Sequence, residues 1–133
     1  MNRMRIEDLS IGDWVQARMT KWDYDDLDIT PAMRVIQIGY SEAKLELNGV
    51  EHYAFVEDLQ PIPITAEVLE QNGISKTYES DEYTVYKGEG FNITEYYTEL
   101  WEFEIHRNRL MIRNVHQLQH ALRLVGVGKE IEL

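Results

Sequence analysis

The sequence predicts an α+β protein of 133 residues, with a small, strongly bent antiparallel β-barrel first and a mixed helix-and-strand half after it. Three observations predict this class. Short β-branched segments separated by turn signals fill the first half, and an apolar stripe at helical spacing lies near the end. Between them, Pro61 and Pro63 stop any continuing strand, because proline cannot donate to a β-ladder. We therefore expect two parts, residues 1–62 and residues 63–133.

The first half contains a series of candidate strands. In order, they cover residues 11–17, 34–40, 44–49 and 52–56. Asn48-Gly49 predicts a two-residue hairpin between the last two, since both central positions of a type I′ turn need positive φ. Residues 57–59 are expected to make one helical turn before a last short strand.

The second half begins with a predicted short helix over residues 65–72. Thr65 is its expected N-cap, and Asn72-Gly73 its stop. Strands are expected over residues 74–113, and residues 100–106 give the clearest pattern. There the side chains of Trp101, Phe103 and Ile105 alternate with polar ones, as in a strand buried on one face. A turn is placed at Asn108.

A terminal helix is predicted over residues 115–125. Asn114 and Gln117 stand at the positions of a capping box. The apolar stripe of this helix comprises Val115, Leu118, Ala121, Leu122 and Val125. We expect the stripe to bury against Trp101, Phe103 and Ile105, and residues 129–133 to form a tail or an extra edge strand.

Composition disfavours several functions. The formal net charge is −11 and the pI is near 4.7, which argues against binding to nucleic-acid phosphates or to an anionic membrane surface. No apolar run approaches the ~20 residues that cross a bilayer. The chain has no cysteine, so cysteine-ligated metal and thiol catalysis are excluded, and a reducing cytoplasm is expected. No cofactor is expected.

Two stretches carry a resemblance that covers nearly the whole chain. One runs from Ile-Gly-Asp-Trp-Val at 11–15 through Pro-Ile-Pro-Ile-Thr at 61–65 to Asn-Gly-Ile at 72–74, and the other is Val-His-Gln-Leu-Gln-His at 115–120. Together they resemble a family of small proteins from gut Bacteroidetes and their phages or mobile elements. The resemblance implies a cytoplasmic bacterial or phage context and no transferable activity. The first half also resembles a Src-homology-3 (SH3) or Tudor barrel, an analogy of fold that carries no function.

The candidate partner-binding residues are aromatic and acidic. They are Trp22, Tyr24, Asp25, Asp26 and Tyr40. In a barrel of this type the long first loop and the second hairpin often border a peptide groove. An acidic, aromatic groove would suit a Lys- or Arg-bearing peptide through charge and cation–π contact. The alternative is structural, with Trp14 and Tyr53 in the core and Trp22 folded over the barrel end.

Two candidate metal sites are weak. His116 and His120 share a helix face at i, i+4, but Gln117 replaces the Glu of a metalloprotease and a third ligand would have to come from a distant residue such as His106. A solvated polar helix face, or one bonded to the neighbouring sheet, is the favoured alternative. The Asp-rich loop at 23–28 fails the calcium-loop pattern, because its sixth and twelfth positions hold Asp28 and Arg34 instead of Gly and Glu.

Nothing in the sequence favours an enzyme. Glu102 and Glu104 lie on one side of one strand, whereas glycoside hydrolysis needs two carboxyls facing each other across a cleft. The leading hypothesis is a non-enzymatic interaction or structural module with a protein partner, and the acidic surface would suit a basic one. The alternatives are a nucleic-acid-associated protein, an acidic decoy that mimics DNA, and a small hydrolase. The sequence does not predict an oligomeric state.

Overall fold

A computed structural model describes residues 4–18, 29–97 and 100–133 of the chain. The predicted α+β class is confirmed: two antiparallel sheets and two helices account for the regular structure. The chain divides into two compact units, Met1–Ile62 and Pro63–Leu133. Neither described helix has the length and apolar character that crossing a bilayer requires.

Unit 1 is built on one antiparallel sheet. Its strands are β1 (Trp14–Ala17), β2 (Met33–Ile38), β3 (Glu42–Leu47), β4 (Val50–Phe55) and β5 (Leu59–Pro61). They lie in the order β4-β3-β2-β1-β5, and a 3₁₀ turn, Val56–Asp58, separates β4 from β5. Among the described residues β4 and β5 are the sheet edges, so the pairing does not close into the predicted barrel.

Local chemistry explains where these strands begin and turn. Asn48 and Gly49 have φ of 52° and 82°, which confirms the predicted positive-φ hairpin between β3 and β4. Ile11 was expected in the first strand but is 56% exposed in a turn that precedes it. The Asp13 carboxylate accepts from the Ser10 N–H at 2.8 Å, and this local bond holds the turn until β1 starts at Trp14.

The core of unit 1 comes from the inward side chains of the sheet and the residues before it. Its buried members are Met4, Leu9, Val15, Ala17, Met33, Val35, Ala43, Leu45 and Leu59. None comes from β4, whose side chains are almost all exposed. The backbone hydrogen bonds to β3 therefore hold β4 in the sheet more than the burial of its side chains does.

Unit 2 contains two helices and a five-stranded antiparallel meander. The elements are α1 (Ala66–Gln71), β6 (Ser75–Glu79), β7 (Tyr83–Lys87), β8 (Asn92–Tyr96), β9 (Leu100–Ile105), β10 (Asn108–Ile112) and α2 (Val115–Leu124). The sheet order is β10-β9-β8-β7-β6. Trp101, Phe103 and Ile105 of β9 are buried, while the residues between them are half-buried, as the alternation predicts.

The turn after β9 falls two residues earlier than predicted. Ile105 pairs with Asn108, so the turn consists of His106 and Arg107, and Asn108 already belongs to β10. Both turn residues have positive φ, 53° and 92°. This register places Ile112 opposite Trp101, so that the two buried side chains share one face.

Both helices begin at a capped residue. The Thr65 hydroxyl accepts from the Val68 N–H at 3.2 Å, and the Gln117 side-chain oxygen accepts from the Asn114 N–H at 3.1 Å. Of the predicted stripe on α2, Val115, Leu118, Ala121 and Leu122 are buried. Val125 lies beyond the last helical turn and is partly exposed.

The C-terminal tail does not form the edge strand considered from sequence. Residues 127–133 have no regular secondary structure, yet Ile131 is fully buried. The tail is held by the side chain of Asn72, which donates to the Glu132 carbonyl at 2.9 Å and accepts from the Glu132 N–H at 2.8 Å. An amide side chain thus replaces a strand neighbour.

Candidate functional site

The aromatic and acidic residues predicted to bind a partner fall mostly between β1 and β2. Trp22, Tyr24, Asp25 and Asp26 lie outside the described residues. Tyr40 is in the connection between β2 and β3, and its side chain is 100% exposed. The candidate site of unit 1 is therefore defined by neighbouring residues that the sequence did not single out.

A cleft of about 510 Å³ opens beside β4. Its apolar lining includes Ala17, Met33, Leu45, Leu47 and Ala54, and its charged lining is Arg18, Glu42 and Asp58. Four consecutive residues of β4, numbered 52–55, also line it. Because β4 lies at the edge of the described sheet, a concavity beside it can be lined by consecutive residues whose side chains point to opposite faces. We call this concavity the edge cleft.

The backbone of β4 is open on the side away from β3. The Asn48-Gly49 hairpin makes Leu47 and Val50 the first hydrogen-bonded pair, and such pairs alternate along an antiparallel ladder. His52 and Ala54 therefore direct their backbone groups toward β3. The N–H and C=O groups of Glu51, Tyr53 and Phe55 point the other way, where no described strand lies.

The side chains of β4 are unusually apolar for an exposed strand. Val50, Tyr53 and Phe55 are each at least half exposed, with Tyr53 at 68%. The sequence alternative that placed Tyr53 in the core is therefore wrong. A signal was present in the sequence: this segment carries apolar residues at both odd and even positions, which a strand with one buried face does not need.

One cation lies on the outer face of β4. The Lys44 ammonium is 5.4 Å from the centre of the Tyr53 ring and 3.7 Å from the Glu51 carboxylate. Its interaction with the Tyr53 side chain, followed by the charge of Glu51, raises the pKa of Lys44. Glu51 therefore has an ion-pair partner within the sheet. Glu42 and Asp58, which border the cleft, have no ion-pair partner in the described part of the chain.

Trp14 is half-buried, and the Arg34 guanidinium lies 4.7 Å from the centre of its ring. The two residues are paired opposite each other on β1 and β2. This cation–π contact engages the Trp14 ring on the sheet itself. It does not make Trp14 a residue of the edge cleft.

The polar face of α2 is not fully solvated, which leaves its other predicted form, a face bonded to neighbouring residues, as a prediction. His116 is buried, as is Gln119, and the ring of His116 meets that of His120 edge-on at 5.6 Å between centroids. His106 lies in the β9–β10 turn. Across residues 4–18, 29–97 and 100–133, no three His, Asp or Glu side chains converge as a metal site would require.

The carboxylates of β9 face one arginine. The Arg109 Nε atom lies 4.0 Å from Glu102 and 3.4 Å from Glu104. Both glutamates are on the same face of the same strand, as predicted, and they are partly buried beside this cation. The two carboxylates therefore share one cation on one strand and do not face each other across a cleft.

Comparison with known proteins finds no protein-family model, no curated sequence and no solved structure that matches this chain.

Proposed function

We propose that the protein is a non-enzymatic interaction module whose unit 1 binds an extended, basic peptide segment of a protein partner along β4. The observation that carries the proposal is the combination of an open strand edge with the edge cleft beside it. A peptide that adds a strand gains main-chain hydrogen bonds from the edge, and its alternate side chains find a concave surface.

The backbone contribution would come from three residues. Glu51, Tyr53 and Phe55 direct their N–H and C=O groups outward, at the two-residue spacing of an antiparallel or parallel partner strand. Native sheets usually protect such edges with charge, proline or a covering segment. Glu51 is the one charged residue of β4, and the exposed rings of Tyr53 and Phe55 beside it favour a recognition role.

The side chains of the bound peptide would make two kinds of contact, one apolar and one ionic. Residues of the peptide that point inward would contact the apolar lining formed by Leu45, Leu47 and Ala54. Cationic residues of the peptide would lie near Glu42 and Asp58. The charge balance of unit 1 supports this choice, since residues 1–62 contain six Lys or Arg against twelve Asp or Glu, and an acidic surface attracts a basic segment at long range.

The same proposal includes an SH3-like assignment for unit 1. The strand order β4-β3-β2-β1-β5 and the 3₁₀ turn between β4 and β5 support it. The resemblance of the sequence at 11–15, 61–65 and 115–120 supports a bacterial or phage context and a cytoplasmic location as further parts of the proposal.

The experiment is selection from a displayed library of random octapeptides on the full chain, followed by titration of the selected peptides. We expect peptides that alternate apolar and Lys or Arg residues. Two methylated versions of such a peptide are compared, one N-methylated at its odd-numbered amides and one at its even-numbered amides. One version should lose binding and the other should keep it, because only one of the two sets of N–H groups faces β4. Equal loss from both methylated peptides would contradict strand addition.

A matched pair of variants tests the location. Tyr53→Ala should weaken binding of the selected peptide at least tenfold. Tyr78→Ala removes a similarly exposed tyrosine from β6, an edge strand of the other sheet, and should leave affinity unchanged. Equal effects of the two variants, or selection of acidic peptides, would overturn the proposal.

A further inference from the structure

A second concavity, of about 580 Å³, lies in unit 2 between two neighbouring turns of the sheet. It is lined by the end of β7, the β7–β8 turn and the β9–β10 turn. The residues that matter here are Lys87, Asn92, Glu104, His106 and Arg107. We call it the turn cleft.

The sheet register brings these side chains together. Lys87 pairs with Asn92, and Asn92 pairs with Glu104, so the three form one row on the same face at the end of three strands. His106 and Arg107 follow Glu104 closely and form the adjacent turn. The charge-bearing groups thus converge although they are up to 20 positions apart in sequence.

The walls of the turn cleft are firmly positioned. The Phe91 ring stacks on Phe103 at 5.3 Å between centroids, and a Cβ on Gly88 would collide with the Phe91 ring. The Gly88 N–H also donates to the Phe91 carbonyl at 3.0 Å. The β7–β8 turn that follows Lys87 is therefore tied to the core of the unit.

In the β9–β10 turn, Arg107 adopts a backbone conformation that is unfavourable for any residue except glycine. Arg107 has φ of 92°, a value at which the second position of a two-residue hairpin strongly prefers glycine. Residues held in such conformations concentrate at functional sites. This backbone strain is tolerated at the position whose side chain adds a guanidinium to the turn cleft.

The cations of the turn cleft are not neutralised by the protein. In the described part of the chain, no ion pair involves Lys87, His106 or Arg107. The one carboxylate of the lining, Glu104, is paired with Arg109 at 3.4 Å. A chain with a net charge of −11 therefore keeps two unpaired full cations and an imidazole around one concavity.

We propose that the turn cleft binds the phosphate monoester group of a small molecule. Arg107 would provide planar, paired N–H donors and Lys87 a point charge, as both do at phosphate sites. Asn92 adds a neutral amide donor. The volume exceeds that of a phosphate group, so the remainder of the cleft would hold the organic part of the ligand.

The test is an NMR titration of the ¹⁵N-labelled full chain with phenyl phosphate, at constant ionic strength. We expect shifts confined to residues around Lys87, Asn92 and Arg107, and weaker binding of benzoate, which carries one negative charge. Arg107→Gly and Lys87→Gln should each weaken phenyl phosphate binding at least tenfold. Arg107→Gly is informative because glycine suits this turn, so loss of binding cannot be attributed to unfolding.

The control is Arg113→Gln, which removes one exposed cation outside the turn cleft. It should leave the affinity within twofold. An equal loss in Arg113→Gln and Lys87→Gln would show diffuse attraction to positive charge and would overturn the proposal. Saturation of the shifts by sodium chloride alone, or unchanged affinity in Arg107→Gly, would also overturn it.

Discussion

The side-chain amide of Asn72 is hydrogen-bonded to both backbone groups of Glu132, 60 positions later in the chain. The same amide donates to the Val68 carbonyl at 2.8 Å, so one buried residue ends α1 and holds the C-terminal tail. The amide fits because its one acceptor and two donors match the Glu132 N–H, the Glu132 carbonyl and the Val68 carbonyl.

This geometry predicts that Asn72→Asp is destabilising. The carboxylate keeps the acceptor for the Glu132 N–H but loses both donors, and it would face two carbonyl oxygens in a buried position. We expect a loss of about 2–3 kcal/mol in unfolding free energy, the cost of unsatisfied buried polar groups. Chemical denaturation measures it, and faster hydrogen exchange at residues 131–133 should accompany it. Asn108→Asp makes the same charge change at an exposed position, and an equal loss there would contradict the explanation.

The buried stripe of α2 predicts a large effect for Leu118→Asp. Leu118 is fully buried, so the substitution places a charge where it has no partner. We expect a loss of about 4 kcal/mol or more and no cooperative unfolding transition. Leu124→Asp puts the same residue on the same helix at a position that is 83% exposed, and it should change the thermal midpoint little. A normal transition in Leu118→Asp would show that the stripe is not packed in solution.

The strained β9–β10 turn predicts that Arg107→Gly stabilises the protein. Glycine adopts φ near 90° without steric cost, so the variant should gain about 1 kcal/mol. A denaturant titration measures the change. Arg109→Gly is the comparison: it lies inside β10, and it should lose at least ~0.5 kcal/mol because glycine weakens a strand interior. Destabilisation by both substitutions would mean that the turn is not strained.

Close packing at the β7–β8 turn predicts intolerance at Gly88. In Gly88→Ala the new Cβ would meet the ring of Phe91, which cannot move freely because it stacks on Phe103. We expect a loss of about 1–3 kcal/mol from overpacking, measured as a lower denaturation midpoint. Gly128→Ala is the matched control, since its added methyl meets no heavy atom within 4 Å. Equal behaviour of the two variants would argue against this contact.

The buried phenol of Tyr86 predicts a loss of stability at alkaline pH. Burial, followed by the carboxylates of Glu95 and Glu70, raises the pKa of Tyr86 to about 12, whereas the unfolded chain should titrate near 10. A raised folded pKa stabilises the protein fully below pH 10, and that contribution disappears as the pH rises through about 12. Its size is on the order of 2 kcal/mol.

The measurement for Tyr86 is the unfolding free energy of the wild type and of Tyr86→Phe, taken at steps of roughly one pH unit from about pH 9 to about pH 12. Tyr86→Phe should flatten the decline. Tyr78→Phe changes an exposed tyrosine and should keep it. A decline that persists unchanged in Tyr86→Phe would assign the alkaline transition to another group.

Local patterns in the sequence were sufficient for several elements. The Asn48-Gly49 hairpin, the alternation of Trp101, Phe103 and Ile105, and the Thr65 cap all depend on neighbouring residues, because turn dihedrals, strand pleat and capping bonds act over a few positions. The α+β class followed from them. The acidic character of the surface also followed, since it requires only a count of charges.

Other features depended on pairings between distant segments. Asn72 was predicted only as a helix stop, and its bonds to Glu132 require the tail to return to α1. Tyr53 was assigned to the core as an alternative because nothing local shows that β4 has no second neighbour. Arg107 was not recognised as a turn residue, since its sequence lacks the glycine that such a turn prefers.

Both proposed sites belong to this second group. The edge cleft exists because β4 pairs on one side only among the described strands. The turn cleft exists because the register of four strands brings Lys87 and Arg107 to the lining of one concavity. Strand order and register are set by which faces can be buried together across the whole unit. The sequence gives the residue types of both sites. The residues come together only because segments that are distant in the sequence are buried against each other.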